Sequence, residues 1–527
     1  MILTTKGRYA VMAMIALGER QGAYATRIAE ISEMKNIPHS YLEQIFSLLR
    51  NAGIVESVRG PGGGYRLKTP PESLRLINII NAVDERITMT KCHNNSESFC
   101  IAPSVQCRAH DLWVGLEYKI LNYFANITVQ DVVDGNVRNI ISSNRNIVGR
   151  SQNHIYFDHN ATTDIDPRVK EFIDLIPSVP LNPSSIHWHG RLARSMLEDA
   201  RNNIAYAMGI KLGPGDDYSI TFTSSGTESN NLVLNNFKEK HVLISSVEHM
   251  SILEPAKKNP NTQVIPVDSD GQIDMQELER KLQTIPEGSL LSVMMANNET
   301  GILQKNISEI AALARRYKIF IHSDCVQALG KIHINYNEFD FVTISSHKVG
   351  GISGVGALIH RSNLAIQAQI VGGGQERGMR SGTENVIGIS GFGIAATFLD
   401  SRCNKLLDVA ILRDKMEAMI KDICPDVMIF GENTARLNNT SSIMMPGVDS
   451  QKQIMKFDLA GISVSAGSAC SSGKTKISHV LKAMGATDEE ASCTIRISLG
   501  LEVLEEEIIQ FVDSWKIIFE EARNGTN

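Results

Sequence analysis

Three residues in the second half of the sequence stand where covalent chemistry on a small molecule is possible. Asp324 ends a short apolar run, with Gln327 three positions later, and Lys348 follows 24 residues after Asp324 at the end of the next run. A lysine at a strand end before a glycine-rich turn suits a Schiff base. An Asp with a polar residue three positions on can meet a pyridinium nitrogen and a phenolic oxygen. Taken singly, each residue could also be a solvated strand end.

Two segments of small residues could complete such a site. Residues 222–229 (FTSSGTES) follow an apolar run and precede a helical pattern. Hydroxyls and backbone amides at a helix N-terminus can bind a phosphate, although an ordinary N-cap has the same sequence. Cys470 lies in the segment 466–473 (AGSACSSG) with few apolar neighbours. It could be a nucleophile, whereas the usual alternative is a buried structural thiol.

The first part of the sequence has its own candidate ligands: Cys92, Cys100, Cys107 and His110. Three thiolates and an imidazole are enough for an iron–sulfur centre or a structural zinc. Free thiols on a loop are the third interpretation. Because the chain is long and carries no clear secretion signal, its eight cysteines favour metal binding or catalysis over disulfides.

Length and composition restrict the class of protein. A chain of 527 residues exceeds one hydrophobic core, so two to four domains are expected. The sequence is 43% hydrophobic and 21% charged, which is typical of soluble globular proteins, and no stretch reaches the roughly 20 apolar residues of a membrane span. The apolar N-terminal segment leads into Gly18-Glu19-Arg20 rather than a small-residue cleavage site. It therefore predicts a helix, and we expect a cytoplasmic protein.

Charge and composition divide the chain. Residues 1–150 hold 17 Lys and Arg against 13 Asp and Glu, a net charge of +4, whereas the remainder holds 35 against 45, a net charge of −10. A mildly basic head permits a contact with nucleic acid. Residues 138–153 lack periodicity and are rich in Asn, Ser and Arg. The predicted organisation is a domain over 1–135, a linker over 136–153 and a domain over 154–527.

The sequence of the head predicts helices followed by a hairpin. A helix from Thr26 to Lys35, a turn and a helix from Ser40 to Ala52 precede a strand that starts near Gly53 and a glycine-rich hairpin tip. Helix, turn, helix and wing predict a mostly α winged helix-turn-helix domain. Apolar residues recur every four positions between His110 and Val132, which predicts a helix that either dimerises or packs on its own domain.

The body alternates helical patterns with short apolar runs, which predicts a mostly parallel α/β sheet. Ligands of such sheets bind beyond the carboxyl ends of the strands. The six runs are Tyr218–Phe222, His241–Ser245, Leu290–Met295, Ile319–His322, Phe341–Ser345 and Ala357–His360.

From residues 156–163 (YFDHNATT) to residues 496–500 (RISLG), these motifs resemble in order and spacing the class V aminotransferase-fold cysteine desulfurases of the IscS/NifS type. The resemblance implies a type I pyridoxal-phosphate transferase fold, with a large cofactor domain and a smaller C-terminal domain. It implies conversion of L-cysteine to L-alanine, with a persulfide on Cys470 that supplies iron–sulfur cluster assembly. It also implies a homodimer and a sulfur-acceptor or scaffold protein as partner.

The same resemblance implies a role for each site residue. Lys348 would hold the cofactor and move the substrate α-proton, Asp324 would keep the pyridine nitrogen protonated, and Gln327 would bond the ring hydroxyl. His249 would stack on the ring and transfer protons. Residues implied to bind phosphate are Gly226, Thr227, Ser345, His347 and, from the partner subunit, Thr383. Residues implied to bind the substrate carboxylate are Asn298, which also contacts the cofactor, and Arg496.

The head resembles iron–sulfur cluster regulators of the IscR type, through residues 1–10 (MILTTKGRYA), 40–44 (SYLEQ) and 58–65 (VRGPGGGY). This resemblance implies a [2Fe–2S] cluster on the three cysteines and the histidine named above, rather than zinc. It also implies DNA binding. Ser40, Tyr41 and Glu43 would enter the major groove, and Arg59 on the wing would reach the minor groove.

The sequence therefore predicts a cluster-sensing DNA-binding regulator fused to a cysteine desulfurase. Three alternatives remain: a regulator with an inactive enzyme as its body, a desulfurase whose head is a cluster or scaffold module without DNA binding, and a selenocysteine lyase. The intact catalytic set opposes the first, and the long loop after Cys470 disfavours the last. Leu501 stands where many relatives carry Arg. Because the given sequence stops at Asn527, we expect no scaffold-docking tail of the kind that some relatives carry.

Overall fold

A computed structural model of the chain describes residues 5–20, 25–60, 62–83, 120–121, 123–125, 127–135, 154–176, 179–215, 217–467 and 477–524. The chain divides into two compact units, Met1–Gln152 and Asn153–Asn527, called the head and the body below. The predicted linker, residues 136–153, lies outside the described residues.

The head consists of helices around one apolar core and a two-stranded antiparallel wing. Its elements are α1 (Thr5–Gly18), α2 (Ile28–Lys35), α3 (His39–Asn51), β1 (Val55–Val58), β2 (Gly64–Leu67), α4 (Leu76–Ala82) and α5 (Val129–Val133). Helix α3 buries Leu42, Ile45, Phe46 and Leu49, as their spacing predicts. At the wing tip Gly60 and Gly62 have φ of 110° and 88°, which favours glycine. The predicted winged helix-turn-helix is confirmed in these elements.

The helix predicted from His110 to Val132 is wrong at its C-terminal end. Residues 120–121 and 123–125 are helical, but Ile127 and Thr128 are extended and hydrogen-bonded beside Leu76 and Arg75. Thr128 then begins α5 as its N-cap. Its hydroxyl accepts from Asp131 N at 3.2 Å, and its own N–H donates to Asp131 Oδ2 at 2.8 Å. This capping box separates two helices that the periodicity had joined.

The body is centred on a mixed seven-stranded sheet in the order β4–β10–β9–β8–β7–β5–β6. Only β10 runs antiparallel to its neighbours. The strands are β4 (Tyr218–Thr223), β5 (Val242–Ser245), β6 (Thr262–Ile265), β7 (Leu290–Ser292), β8 (Phe320–Asp324), β9 (Phe341–Ser345) and β10 (Gly356–Arg361). The associated helices are α6 (Pro167–Leu175), α7 (Trp188–Ala207), α8 (Gly226–Asn236), α9 (Met250–Lys257), α10 (Met275–Leu282), α11 (Ile307–Arg316) and α12 (Val386–Ala396).

A smaller antiparallel sheet, in the order β11–β12–β15–β14, forms the second layer of the body around its own apolar core. Within that core the rings of Phe457 and Phe511 stack at 4.9 Å. The remaining elements are β3 (Ile155–Tyr156), α13 (Leu399–Ile423), β11 (Met428–Ile429), β12 (Thr440–Met444), α14 (Ser450–Leu459), β13 (Ile462–Ser463), β14 (Ser465–Ala466), α15 (His479–Ala483), α16 (Asp488–Ser492), β15 (Thr494–Ser498) and α17 (Glu505–Asn524). The body thus has the expected type I pyridoxal-phosphate transferase fold, with a mostly parallel large sheet and a second, smaller sheet.

Strand β3 is the first strand of the body, but its partner strand comes from the C-terminal part of the body. It pairs in parallel with β13, and Asp158 then bridges to Ser498 at the end of β15. This pairing directs the following residues, Asn160 and Ala161, towards the edge of the large sheet, where Lys348 reaches their carbonyls.

Among the described helices, none is both long and apolar enough to cross a membrane by itself, while α12 and α13 meet that criterion only jointly across a bend of 62°.

Candidate functional site

Polar residues gather where β4, β9 and β10 meet at one edge of the large sheet. Gly356 at the start of β10 pairs with Thr223 at the end of β4 on one side and with Ser345 at the end of β9 on the other. Asp324 ends the adjacent strand β8, whose partner there is Thr343. The pairing of these strands therefore brings their ends together in one cluster. Open α/β sheets bind ligands at such a cluster of strand ends.

The carboxylate of Asp324 is buried and held by two donors. Its Oδ2 accepts from Asn230 Nδ2 at 2.7 Å and its Oδ1 accepts from Val326 N at 3.0 Å. Asn230 also donates to Ser251 Oγ at 2.8 Å, and Ser251 in turn contacts His249 Nδ1 at 2.7 Å. A relay of side chains therefore fixes the carboxylate and the imidazole relative to each other.

His249 is the N-cap of α9, where its Nδ1 accepts from Ser251 N at 3.2 Å. Burial lowers the pKa of His249, Asp324 opposes that effect, and Lys348 adds to it. The imidazole is therefore neutral near pH 7 and able to accept a proton.

Lys348 lies in a single 3₁₀ turn directly after β9. Its Nζ donates to the carbonyls of Asn160 and Ala161, at 2.7 Å for the latter. The glycines that follow are required: Gly350 has φ of 87°, and a Cβ on Gly351 would collide with the hydroxyl of Ser346. The glycine-rich stretch thus lets the chain turn tightly under the lysine.

Gln327 is fixed by two contacts in the described structure. Its Nε2 donates to the carbonyl of Asn160 at 2.9 Å, and its Oε1 accepts from Lys331 Nζ at 2.9 Å. The same Asn160 carbonyl accepts from Lys348. Gln327 and Lys348, predicted as members of one site, therefore meet at a single backbone oxygen.

The expected phosphate-binding residues form a cradle around Gly226, the first residue of α8. A Cβ on Gly226 would lie 2.8 Å from Val326 Cγ2 and 3.7 Å from Ser345 Cβ, so only glycine leaves room for backbone contacts. Thr227 is exposed beside it. His347 contacts Thr162 Oγ1 at 3.2 Å, and burial lowers its pKa to about 4. The cradle joins a helix N-terminus to two strand ends.

Arg496 and Asn298 meet on the side of the small sheet. Arg496 donates to the Asn298 carbonyl at 2.9 Å and to Asp158 Oδ1 at 2.6 Å. Its Nε is buried and has no hydrogen-bond partner in the described part of the chain. A buried guanidinium with a donor left over is chemically suited to a carboxylate ligand.

Thr383 is exposed and lines a cavity of about 200 Å³ together with Ser224 and Arg380. The segment before it turns through Glu376 and Arg377, two non-glycine residues with φ of 46° and 57°. The carboxylate of Glu376 accepts from both terminal nitrogens of buried Arg201 at 3.0 Å, which holds this strained turn in place.

Cys470 lies outside the described residues, but both segments that flank it are described. Glu299, next to Asn298, is buried, and its carboxylate accepts from the Ser478 hydroxyl. A Cβ on Gly467 would collide with that same carboxylate. His479 contacts the carbonyl of Glu248 at 2.9 Å. The two flanks of the cysteine segment thus meet beside the site.

The other four cysteines of the body, Cys325, Cys403, Cys424 and Cys493, are all buried. Burial raises the pKa of Cys325 to about 12 and that of Cys403 to about 11, so neither thiol ionises near neutral pH.

The expected cluster ligands of the head, Cys92, Cys100, Cys107 and His110, lie outside the described residues. The expected DNA-binding residues are described. Ser40 and Glu43 are exposed near the start of α3, and Arg59 is exposed at the wing. Tyr41 is half-buried, with its ring edge-on to Tyr9 at 5.7 Å. The described candidates therefore lie on the helix and hairpin that the sequence assigned to them.

The sequence did not single out several residues that organise this site. Asn160 lies in the quoted segment 156–163, and Asn230 lies one residue past the quoted segment 222–229. Lys331 follows Gln327 by four positions and is 4% exposed. The sequence did contain a signal for Asn230 and Lys331. Each is a polar residue on the buried face of a helix or turn, and such a residue needs a hydrogen-bond partner.

Two family models match the chain. The aminotransferase class-V model matches residues 155–511, and the Rrf2 model, described as an iron-dependent transcriptional regulator, matches residues 3–135. A cysteine desulfurase IscS of Dictyoglomus turgidum is 37% identical over 386 residues, covering 70% of this chain and 95% of the relative.

Further similarity comes from another relative and a solved structure. The cysteine desulfurase IscS 1 of Archaeoglobus fulgidus is 37% identical over 70% of this chain and 98% of its own length. The X-ray structure of a NifS-like protein from Rickettsia africae is 44% identical, with a TM-score of 0.66, over 70% of this chain and 99% of that chain. All three matches fall on the body.

Proposed function

Because the chain belongs to the class V aminotransferases and carries an Rrf2 regulator domain, we propose that it is a cysteine desulfurase whose body converts L-cysteine to L-alanine. The observation that carries this proposal is the convergence of Asp324, His249 and Lys348 at one edge of the large sheet. The resulting sulfur would supply iron–sulfur cluster assembly, in which a separate acceptor or scaffold protein receives the persulfide.

The residues of the site fit pyridoxal phosphate. The cradle at Gly226 suits the phosphate with Thr227, Ser345 and His347, and the buried carboxylate of Asp324 suits a protonated pyridine nitrogen. When bound, the cofactor supplies an electron sink that makes the substrate sulfur open to attack. Lys348 Nζ would hold the cofactor and move the α-proton of the substrate.

The remaining residues would position the substrate and the nucleophile. Arg496 and Asn298 would hold the carboxylate of cysteine, and the neutral imidazole of His249 would accept the proton of the incoming thiol. Cys470 is the nucleophile that we propose, because the other four cysteines of the body are buried. Its thiolate would form an S–S bond as the C–S bond of the substrate breaks, leaving a persulfide on Cys470 and alanine.

Two variants test this assignment. Lys348→Ala should abolish both alanine production and the visible absorbance of lysine-bound cofactor, with a loss of activity of at least about 10³-fold. Cys470→Ser should retain that absorbance but lose persulfide formation. Full desulfuration by Cys470→Ser would show that another group is the nucleophile.

We further propose that the body functions as a homodimer in which Thr383 completes the phosphate site of the partner subunit. Exposed Thr383, beside a turn fixed by Glu376 and Arg201, is compatible with such a role. Sedimentation combined with activity measurement tests it, and a fully active monomer would contradict it.

For the head, we propose a [2Fe–2S] cluster on Cys92, Cys100, Cys107 and His110, and DNA binding through α3 and the wing. The Rrf2 match and the exposed positions of Ser40, Glu43 and Arg59 support this proposal. The visible spectrum of protein purified without oxygen is the test. Iron–sulfur absorption that disappears in Cys107→Ala is expected, whereas bound zinc with no iron–sulfur absorption would contradict the cluster.

The body, which would generate the sulfur, and the head, which would hold the cluster, belong to one chain. We therefore propose that sulfur is delivered from the body to the cluster site within one molecule. A covalent link raises the effective concentration of one unit near the other to about the millimolar range, where geometry permits contact. Cluster reconstitution from cysteine and iron, without added scaffold, should therefore be faster for the intact chain than for the two units supplied separately at micromolar concentration. Equal rates of cluster reconstitution by the intact chain and by the separate units would show that the covalent link has no role in sulfur delivery.

A further inference from the structure

Lys331 is a buried lysine without an acidic partner. It is 4% exposed, and in the described part of the chain no ion pair joins it to a carboxylate. Among the charged groups that lower its pKa are Lys348, Arg402 and Arg496, all of them cations. Burying an amine among cations costs free energy, so this position needs a reason other than fold stability.

The contacts of Lys331 supply that reason. Its Nζ donates to Gln327 Oε1 at 2.9 Å and to Asn160 Oδ1 at 2.6 Å. A lysine side chain donates hydrogen bonds and, when charged, cannot accept them. The carbonyl end of the Gln327 amide must therefore face Lys331, which turns the NH₂ end the other way, towards the Asn160 carbonyl.

The same amine also sets the orientation of Asn160. Because Asn160 Oδ1 accepts from Lys331, its Nδ2 is directed to Thr440 Oγ1 at 2.9 Å and to the Asn298 carbonyl at 3.4 Å. The Asn160 carbonyl receives both Gln327 and Lys348. Lys331 thus donates to the carbonyl end of two amides, and at Asn160 a second donor, Asn439 Nδ2 at 3.3 Å, supports the same orientation.

We propose that Lys331 is a positioning residue that fixes the amide of Gln327 with its NH₂ group presented to the ring oxygen of the cofactor. The proposal rests on the proposed function, in which Gln327 contacts that oxygen. A phenolic oxygen that carries negative charge needs a donor, and an amide turned the other way would present a carbonyl and repel it.

The device works in either protonation state of the amine. Burial lowers the pKa of Lys331 well below its ordinary value, and the neighbouring cations lower it further. A neutral amine still has two N–H groups, one for each of the two amide oxygens that it contacts. Both observed contacts can therefore persist after deprotonation, whereas the charged amine, which has no lone pair, enforces the orientation of Gln327 more strictly.

A double-mutant cycle on cofactor binding tests the proposal. Lys331→Met keeps the length of the side chain and removes the donor, and an apolar replacement for a buried amine should not prevent folding. Gln327→Ala removes the amide. The measurement is the dissociation constant of pyridoxal phosphate from titration of the cofactor-free protein, together with the absorption maximum of the bound cofactor. Lys258→Met, an exposed lysine of the body, is the matched control.

We expect each single variant to weaken cofactor binding by about tenfold and to shift the absorption maximum in the same direction. The double variant should be no weaker than the weaker single variant, because Lys331 acts through Gln327. Lys331→Gln, which retains an NH₂ donor on a shorter side chain, should recover part of the affinity. Lys258→Met should bind like the unmodified protein.

Three outcomes would contradict the argument at different points. If Gln327→Ala weakens binding but the effects of the two variants multiply in the double variant, Lys331 does not act through Gln327 and the positioning role is wrong. If Gln327→Ala leaves both affinity and spectrum unchanged, the proposed cofactor contact of Gln327 is itself wrong. Equal losses in Lys331→Met and Lys331→Gln would also contradict orientation by a donor.

Discussion

The head and the body bury different kinds of side chain. In the described part of the head, Thr26 is the one polar side chain counted as buried, and the core consists of residues such as Met14 and Phe46. The body buries Asp324, Glu248 and many other polar groups near its strand ends. Chemistry requires desolvated polar groups held in fixed geometry, whereas recognition of a surface requires exposed ones.

The largest expected effect is on a buried ion pair of the body. Glu376→Gln leaves Arg201 buried without its bidentate partner and removes part of the restraint on a turn with positive φ, so the free energy of unfolding should fall by about 3–5 kcal/mol. Urea unfolding and local hydrogen exchange measure the loss.

The matched control lies in the head. Arg20 and Glu30 form an exposed pair at 2.6 Å, so Glu30→Gln should change stability by about 1 kcal/mol or less. Similar losses in both variants would contradict the contrast between a buried and an exposed pair.

The next effect concerns substrate binding in the body. Arg496→Lys removes the two-pronged donor, so kcat/KM for cysteine should fall about 10- to 100-fold, mainly through KM. Arg168→Lys, at an exposed arginine paired with Asp166, should leave the kinetics within about twofold. A loss in kcat alone would show that Arg496 does not bind the carboxylate.

A third prediction concerns acid stability of the body. Burial lowers the pKa of His322 to about 3, below its ordinary value of 6.5, while its ring contacts Ser292 and Thr343. The unfolded chain therefore takes up a proton first as pH falls below about 6.5, and the folded state loses stability from that pH downward, by about 2 kcal/mol at pH 5.

His322→Gln keeps a polar group between the strands but cannot titrate. Unfolding of this variant between pH 7 and pH 5 should show about 2 kcal/mol less acid destabilisation than the unmodified chain. His333→Gln, at an exposed histidine, is the control. If the free energy of unfolding falls equally with pH in His322→Gln and in the unmodified chain, His322 is not a source of the acid destabilisation.

The smallest effect is expected at the surface of the head. Arg59→Ala should weaken binding to mixed-sequence duplex DNA about fivefold and reduce the slope of log K against log salt by about one, with alanine production unchanged. Arg66→Ala, on the same wing but paired with Glu56, should have less effect. Equal effects of both would argue against a specific role for Arg59.

The parts of the body that could be predicted from sequence are those governed by strand order. Asp324, Ser345 and Lys348 each follow an apolar run, and neighbouring strand ends of an open sheet lie at one edge, so their proximity follows from local patterns. The contribution of Asn160 could not be predicted that way. It comes from a segment that β3 pairs with β13 and that the bridge from Asp158 to Ser498 ties to the small sheet, more than 150 residues before Lys331.

The head shows where periodicity alone is insufficient. The four-residue spacing joined Phe124 to Val132 in one helix, but Thr128 and Asp131 form a capping box that starts a new one. That signal is present in the sequence, since a threonine followed three positions later by an acidic residue is a helix start. Local hydrogen bonding to the backbone outweighed the continuity of the apolar pattern.

The position of Glu299 bears on the chain entropy of the segment between Gly467 and Ser478. Ser478 donates to the Glu299 carboxylate and Gly467 lies close beside it, so the two described ends of the segment that contains Cys470 are held near one side chain. Bringing together the ends of a segment of about ten residues costs on the order of 2 kcal/mol in chain entropy. The fold of the body already holds Gly467 and Ser478 in place, so an acceptor of the proposed persulfide would meet a segment whose two ends are fixed.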